Sequence, residues 1–118
     1  MKHLVLAAVA LCLISPPRLA CSQPIGPGFD CAKAAQPLAR LICANADLSR
    51  TDLEFNQAYQ ALLAQVGPGG RRELQQEDVE FINYVQRLCG IPQTGLVVGS
   101  PDCVGAQYDH KRFEWISR

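Results

Sequence analysis

The sequence predicts an all-α domain, a small four-helix arrangement stapled by two local disulfides. Apolar residues recur at spacings of three and four along most of the chain after residue 29, which is the period of an amphipathic helix. Strand signals are confined to one short apolar triplet at residues 96–98. Four cysteines follow residue 29, and an even number of cysteines in a chain this small indicates a disulfide framework.

Residues 1–22 have the three-part layout of a secretory signal peptide. A basic start precedes an apolar run at residues 4–14, and a proline-containing segment follows. An apolar run this short cannot span a bilayer core of about 30 Å. Two processing routes compete, namely cleavage after Ser22 and lipidation of Cys21 as in bacterial lipoproteins. We favour cleavage after Ser22, because Arg18 stands where a lipoprotein signal usually has leucine.

The rest of the chain divides into a flexible leader at residues 23–28, rich in proline and glycine, and a helical domain at residues 29–118. Together they carry nine basic and eleven acidic side chains, a net charge of −2. This balance offers no basic surface to nucleic acids or anionic membranes. A mildly acidic surface favours a cationic partner instead.

The four remaining cysteines allow three disulfide connectivities. We predict the sequential pairing of Cys31 with Cys43 and of Cys89 with Cys103, because each bond then closes a short local loop. Each loop is worth on the order of 3 kcal/mol in the chain-entropy description. Zinc binding is the rival interpretation. The chain has no C-x-x-C pair and is destined for an oxidising compartment, so we expect neither a metal nor another cofactor.

Two helices are predicted between residues 29 and 66. The first is short and carries Pro37 in its first turn. Asn45 or Asp47 then caps a longer amphipathic helix. One stripe of this second helix holds the apolar residues Leu48, Phe55, Tyr59, Leu62 and Val66.

A Gly-Pro-Gly-Gly run at residues 67–70 ends the second helix, and a third helix is predicted over residues 71–88. The connection at residues 89–102 is long for a helix-to-helix link, and long loops are often functional. A last helix starts at about Cys103. Tyr84 is expected at the surface, whereas the core takes Leu74, Phe81, Ile82, Val85, Leu88, Val104, Tyr108 and Trp115.

Residues suited to catalysis are sparse. His110 is the only histidine after the signal, and it lies among charged residues without an activated nucleophile beside it. Acidic pairs such as Asp47 with Asp52 are explained by helix caps and solvated helix faces. The chain shows no Gly-rich phosphate loop and no metal-ligand motif. We therefore predict that the protein is not an enzyme.

The loop at residues 90–102 is the best candidate for a binding site on physical grounds. A bond between Cys89 and Cys103 would tether both of its ends, so that the loop would meet a partner already ordered. The alternative is a surface loop without a partner. The apolar tip of the loop and the glycines beside it are Gly95, Leu96, Val97, Val98 and Gly99.

The chain resembles the LprI-like lysozyme-inhibitor family of small exported bacterial proteins. The close part covers about 35 residues and comprises Phe29-Asp30-Cys31-Ala32-Lys33-Ala34, Ala39-Arg40-Leu41-Ile42-Cys43-Ala44, Asp47-Leu48, Asp52-Leu53 and Ala58-Tyr59. The distal half agrees more loosely, through Phe81, Cys89, Cys103, Tyr108 and Arg112. The family usually has tryptophan in place of Phe81 and glutamate in place of Ala39, and a shorter spacing between its last two cysteines.

This resemblance implies an exported, disulfide-stabilised helical protein that binds and blocks a peptidoglycan-cleaving lysozyme. We expect a monomer, periplasmic or secreted, with a protein partner. The alternative is a non-catalytic interaction or structural module of the cell envelope without activity on lysozyme. In the inhibitor hypothesis the loop contacts the enzyme. The expected steering charges are Asp102 and the acidic face formed by Glu77, Asp78 and Glu80.

Overall fold

The computed structural model describes residues 26–95 and 99–118. Within these ranges the chain forms α-helices and one short 3-10 helix, with no strand, so the all-α prediction is confirmed. The predicted signal peptide and Cys21 lie outside the described residues. The 3-10 helix is Cys31–Lys33, and the α-helices are α1 Pro37–Ala44, α2 Ala46–Leu63, α3 Pro68–Leu88 and α4 Pro101–Ile116.

The starts of α1 and α2 follow from local capping chemistry. Pro37 is the first residue of α1, where its fixed φ suits the helix and its missing N–H leaves no unpaired donor. Asn45 caps α2, since its side-chain oxygen accepts a hydrogen bond from the Leu48 amide at 3.0 Å. Asp47, the alternative cap, lies in the first turn and pairs with Arg50 instead.

Two predicted helix boundaries are wrong around residues 64–71. α2 ends at Leu63, before Val66, and α3 begins at Pro68 rather than at Arg71. Proline is favoured in the first turn of a helix, so Pro68, Gly69 and Gly70 form the first turn of α3 and are not a linker between two helices. Gly70 suits this turn because a Cβ there would lie 3.0 Å from the Val66 Cβ.

The last helix also begins earlier than predicted. α4 starts at Pro101, and the hydroxyl of Ser100 accepts a hydrogen bond from the Cys103 amide at 3.2 Å. A serine cap followed by proline is a strong start signal. This signal sets the start of α4 at Pro101, although the apolar periodicity of the helix is weak. The loop before α4 is therefore shorter than predicted.

An aromatic cluster between α2 and α4 forms the centre of the core. The ring of Phe55 lies 4.5 Å from that of Tyr108, 4.8 Å from that of Trp115 and 5.5 Å from that of Phe81, measured between centroids. Tyr108 and Trp115 are each only 2% exposed. The core assignment of these aromatics is therefore confirmed, and Tyr84 is exposed as predicted.

One predicted core residue, Leu88, is instead 51% exposed. The chain turns immediately after α3 at Gly90, whose φ of +70° is in the left-handed region. Cys89 and Ile91, which flank the turn, are buried in its place. The end of α3 therefore presents Leu88 to solvent.

Both predicted disulfides are present. Cys31 bonds to Cys43 with their Cα atoms 5.8 Å apart, and Cys89 bonds to Cys103 with a Cα separation of 5.7 Å. The first bond connects the 3-10 helix to the last turn of α1, a helix of eight residues that is too short to be stable alone. The second connects the end of α3 to the start of α4.

Replacing both members of the first bond, as Cys31→Ser with Cys43→Ser, should lower the free energy of unfolding by about 2–5 kcal/mol. Urea unfolding of the oxidised wild-type protein and of the variant measures this difference. Reduction of the wild-type protein should produce a loss at least as large. An unchanged midpoint in the variant would contradict a stabilising role for this bond.

Phe55→Ala should destabilise the protein by about 3–5 kcal/mol, because it removes the ring that three other aromatics contact. Phe113→Ala is the matched control, since Phe113 is 61% exposed and the expected change is within about 0.5 kcal/mol. Equal effects of the two substitutions in thermal unfolding would show that the cluster is not the centre of the core.

Candidate functional site

The loop between α3 and α4 is held to the helices at several points. Ile91 is buried, its amide donates to the Gln86 carbonyl at 2.9 Å, and the Gln93 side chain donates to the Gln86 side-chain oxygen at 3.0 Å. Together with the Cys89–Cys103 bond, these contacts fix the first part of the loop. The predicted apolar tip, Leu96 to Val98, lies outside the described residues.

Gly95 and Gly99, which flank this tip, are both exposed, and both have a positive φ. Gly99 is also constrained by space, because a Cβ there would lie 2.2 Å from the Ile91 side chain. A larger residue at position 99 would displace the buried anchor of the loop. Asp102 is exposed in the first turn of α4.

The predicted acidic face of α3 is divided between two sides of the helix. Glu77 and Glu80 line one cavity together with Tyr84 and His110, whereas Asp78 lines a different cavity. Consecutive helical residues are separated by about 100°, so Asp78 cannot share the direction of Glu77. The three carboxylates therefore line two different cavities.

Glu77 is already paired within the protein. Its carboxylate accepts two hydrogen bonds from Arg118, each at 2.8 Å, one from the Trp115 indole N–H at 3.0 Å, and forms an ion pair with Lys111 at 2.7 Å. These contacts lower the pKa of Glu77 to about 2. The Arg118 bonds are the largest cause, and Lys111 and Trp115 add to them against the opposing effect of burial.

A cleft that sequence reasoning missed lies where all four helices meet. It has a volume of about 290 Å³. Its walls are apolar through Phe29, Leu38, Ile42, Phe55 and Ile82. We call it the acidic cleft, because its polar lining residues are Asp52 and Asp78 with Asn56, Gln86, Tyr108 and Gln36.

Asp52 is the most deeply placed charge of the acidic cleft, with 3% of its surface exposed. Its carboxylate accepts hydrogen bonds from the Gly28 amide at 2.8 Å and from the Asn56 side chain at 3.2 Å. Burial nevertheless raises the pKa of Asp52 above its ordinary value. Burial raises the pKa of Asp78 as well, and the neighbouring charges of Asp52 and Glu77 contribute in the same direction.

The sequence did contain a signal for this site. Asp52 lies on the apolar stripe of α2, four residues after Leu48 and three before Phe55. A carboxylate in such a stripe is buried when the helix packs, and buried charges are uncommon unless they are paired. The prediction that Asp52 caps the helix or lies on its solvated face is therefore wrong. Ala39, where the family usually has glutamate, also lines the acidic cleft.

The loop and the acidic cleft are connected through the Gln86 side chain. Gln86 is 5% exposed, lines the cleft and accepts the hydrogen bond from Gln93 of the loop. The described start of the loop therefore lies beside the acidic cleft. The remaining candidates for chemistry lie elsewhere. His110 is exposed on α4, and Cys31, Cys43, Cys89 and Cys103 are all oxidised.

Among residues 26–95 and 99–118, no group of three or more histidine, cysteine or acidic side chains could hold a metal ion. Within the same ranges, no helix is long and apolar enough to cross a membrane.

Glu77→Gln should make the free energy of unfolding depend less on pH in the acidic range. A carboxylate whose folded pKa of about 2 lies below its ordinary value of 4.5 stabilises the protein fully above pH 4.5, and this stabilisation is lost as the pH falls towards 2. The wild-type protein should therefore lose more stability than the variant between roughly pH 6 and pH 3 in urea unfolding. Glu73→Gln, an exposed position on the same helix, should retain the wild-type pH dependence. Parallel curves for wild-type and Glu77→Gln would contradict the ion-pair network.

Comparison with protein families identifies one family whose model matches this chain. Residues 31–107 match the family described as lysozyme inhibitor LprI, a range that includes both disulfides, the loop between α3 and α4, and most of the acidic cleft. Comparisons with curated proteins and with solved structures each gave no match. Because the match covers more than half of the 118 residues, the chain belongs to the LprI lysozyme-inhibitor family.

Proposed function

We propose that this protein is a non-catalytic inhibitor that binds a peptidoglycan-cleaving lysozyme and blocks its substrate cleft. The family match over residues 31–107 is the observation that carries this proposal. It agrees with the prediction that the protein is not an enzyme, because the family is one of inhibitors. Disulfides persist in oxidising compartments, so both bonds and the family indicate an extracytoplasmic location.

The loop and the acidic cleft beside it support such a role. The described start of the loop is fixed by a disulfide and by the buried Ile91 side chain, so little conformational entropy is lost there when it meets a partner. Residues 23–118 carry a net charge of −2, which favours encounter with a cationic enzyme. A lysozyme presents a substrate cleft with two catalytic carboxyl groups, and an obstacle placed across it is enough for inhibition. In this proposal the predicted contacts are the loop residues 95–99 and Asp102.

Export after cleavage behind Ser22, or lipid anchoring through Cys21, forms part of the same proposal. Both routes deliver the domain to the compartment where peptidoglycan is attacked. Mass spectrometry of the protein purified from its bacterial envelope distinguishes them, since a chain that begins at Gln23 and a diacylated Cys21 differ in mass.

Clearing of a peptidoglycan suspension by lysozyme, with and without the oxidised protein comprising residues 23–118, tests the proposed function. We expect dose-dependent loss of clearing with at least one lysozyme type. Alanine replacement of Leu96, Val97 and Val98 together should weaken inhibition about tenfold or more, as the loss of a binding hot spot does.

Val79→Ala is the matched control for the loop variant. It also truncates an exposed aliphatic residue, 59% accessible, but on α3. Its inhibition should equal that of the wild-type protein. No effect of the wild-type protein on several lysozyme types would contradict the inhibitor proposal and favour an envelope interaction module. Capture of a cell-envelope protein by the immobilised domain would then support that module.

A further inference from the structure

The two carboxylates of the acidic cleft have no cationic partner within the described part of the chain. Every ion pair found there uses other acids, namely Asp47, Glu54, Glu77, Asp109 and Glu114. Lys111, Arg112 and Arg118 are all engaged by those acids. Asp52 is thus buried and Asp78 partly buried, and neither has the countercharge that normally accompanies burial of an acid.

Two further polar side chains of the cleft have unused hydrogen-bonding capacity. Tyr108 is only 2% exposed as a whole residue, and it lines the cleft. Its hydroxyl forms no hydrogen bond with any described residue, although it is not a fully enclosed atom. The Gln86 side chain accepts from Gln93 through its oxygen, but its amide nitrogen donates to no described residue. Both side chains line the acidic cleft. Neither the Tyr108 hydroxyl nor the Gln86 amide nitrogen is among the fully enclosed polar atoms without a partner. Both atoms are therefore open to the cleft and available to hydrogen-bond a ligand there.

The size and lining of the cleft limit what that ligand can be. A volume of about 290 Å³ lies just below the range for small-molecule sites, which is about 300–1,000 Å³, and is too small for a glycan chain. The walls contributed by Leu38, Ile42 and Ile82 suit an aliphatic stem, and the rings of Phe55 and Tyr108 suit the face of a planar cation. Arginine combines such a stem with a guanidinium that donates to carboxylates and hydroxyls.

We infer that the acidic cleft receives an arginine side chain of the protein partner, with Asp52 and Asp78 facing the guanidinium and Tyr108 accepting from it. This inference rests on the proposed function, which identifies the partner as a cationic lysozyme. It adds that an arginine side chain of that enzyme anchors the complex. Gln93 beside the cleft then brings the loop onto the same enzyme surface.

Burial of the two acids agrees with this assignment. Burial raises the pKa of both Asp52 and Asp78, because their surroundings disfavour the negative charge. An arriving cation favours the ionised forms of both acids. The groups that act on the pair are the Asn56 side chain, the Gly28 amide, the Tyr108 hydroxyl and, from the other side of α3, the charge of Glu77, and none of them is a cation.

Titration of the ¹⁵N-labelled protein with Nα-acetyl-arginine amide tests the inference directly. We expect shifts in the amide resonances of cleft residues such as Ala39, Asn56 and Gln86, with a dissociation constant on the order of millimolar for an isolated side chain. The citrulline analogue has nearly the same shape without the charge and should leave these resonances in place. No shifts with the arginine probe, or equal shifts with citrulline, would overturn the inference.

Asp78→Asn is the decisive variant, because Asp78 forms no hydrogen bond or ion pair among the described residues. It should raise the dissociation constant of the arginine probe about tenfold or more, as does the loss of one member of a buried charge pair. Its melting temperature at pH 7 should not fall, since burial penalises the charge that it removes. Tyr108→Phe, which keeps the ring, should weaken binding to a smaller extent. Unchanged affinity in Asp78→Asn would overturn the inference.

Glu73→Gln is the matched control, since it also removes one carboxylate from α3 but lies outside the cleft. In the clearing assay it should inhibit lysozyme like the wild-type protein, whereas Asp78→Asn should inhibit about tenfold less. Equal inhibition by both variants would overturn the role of the cleft and leave the inhibitor function intact. Arginine binding by a protein that inhibits no lysozyme would support the site and contradict the proposed function.

Discussion

The packing of α2 against α4 around the ring of Phe55 is the constraint on which the rest of the domain depends. Phe55 contacts Phe81, Tyr108 and Trp115, so one side chain holds three helices in position. Trp115 is in turn bonded to Glu77 through its indole N–H, which connects the core to the ion pairs at the end of α4. The short α1 covers this centre and is secured by a disulfide and by the Ser49 hydroxyl, which donates to the Ile42 carbonyl.

The same packing creates the acidic cleft. Tyr108 and Phe55 belong both to the core and to the wall of the cleft, so the site is built on rigid helices rather than on a loop. An uncompensated pair of carboxylates in this position opposes folding at neutral pH. Residues that lower the stability of the folded protein in this way often serve its function, because functional sites commonly contain groups that are unfavourable for folding.

Most of the fold could be predicted from the sequence because it depends on local signals. The periodicity of α2, the sequential disulfides and the burial of Tyr108 and Trp115 all follow from spacing along the chain. The boundaries near Pro68 and Pro101 could have been read from proline at the first helical position. The burial of Ile91 in place of Leu88 could not, because it depends on the direction in which the chain leaves α3 at Gly90.

The candidate site was harder to predict than the fold, because it assembles residues from all four helices. Glu77 and Asp78 are neighbours in the sequence and were expected on one face of α3. Only the packed helices show that Glu77 is neutralised by Arg118 while Asp78 is not.

The most direct test of the proposed binding site is amide shift mapping of the ¹⁵N-labelled protein with an unlabelled cationic lysozyme. We predict a complex whose shifted resonances surround Asn56, Gln86 and Gln93. No complex with any lysozyme, or shifts confined to the exposed side of α4 near Phe113 and Ile116, would contradict it.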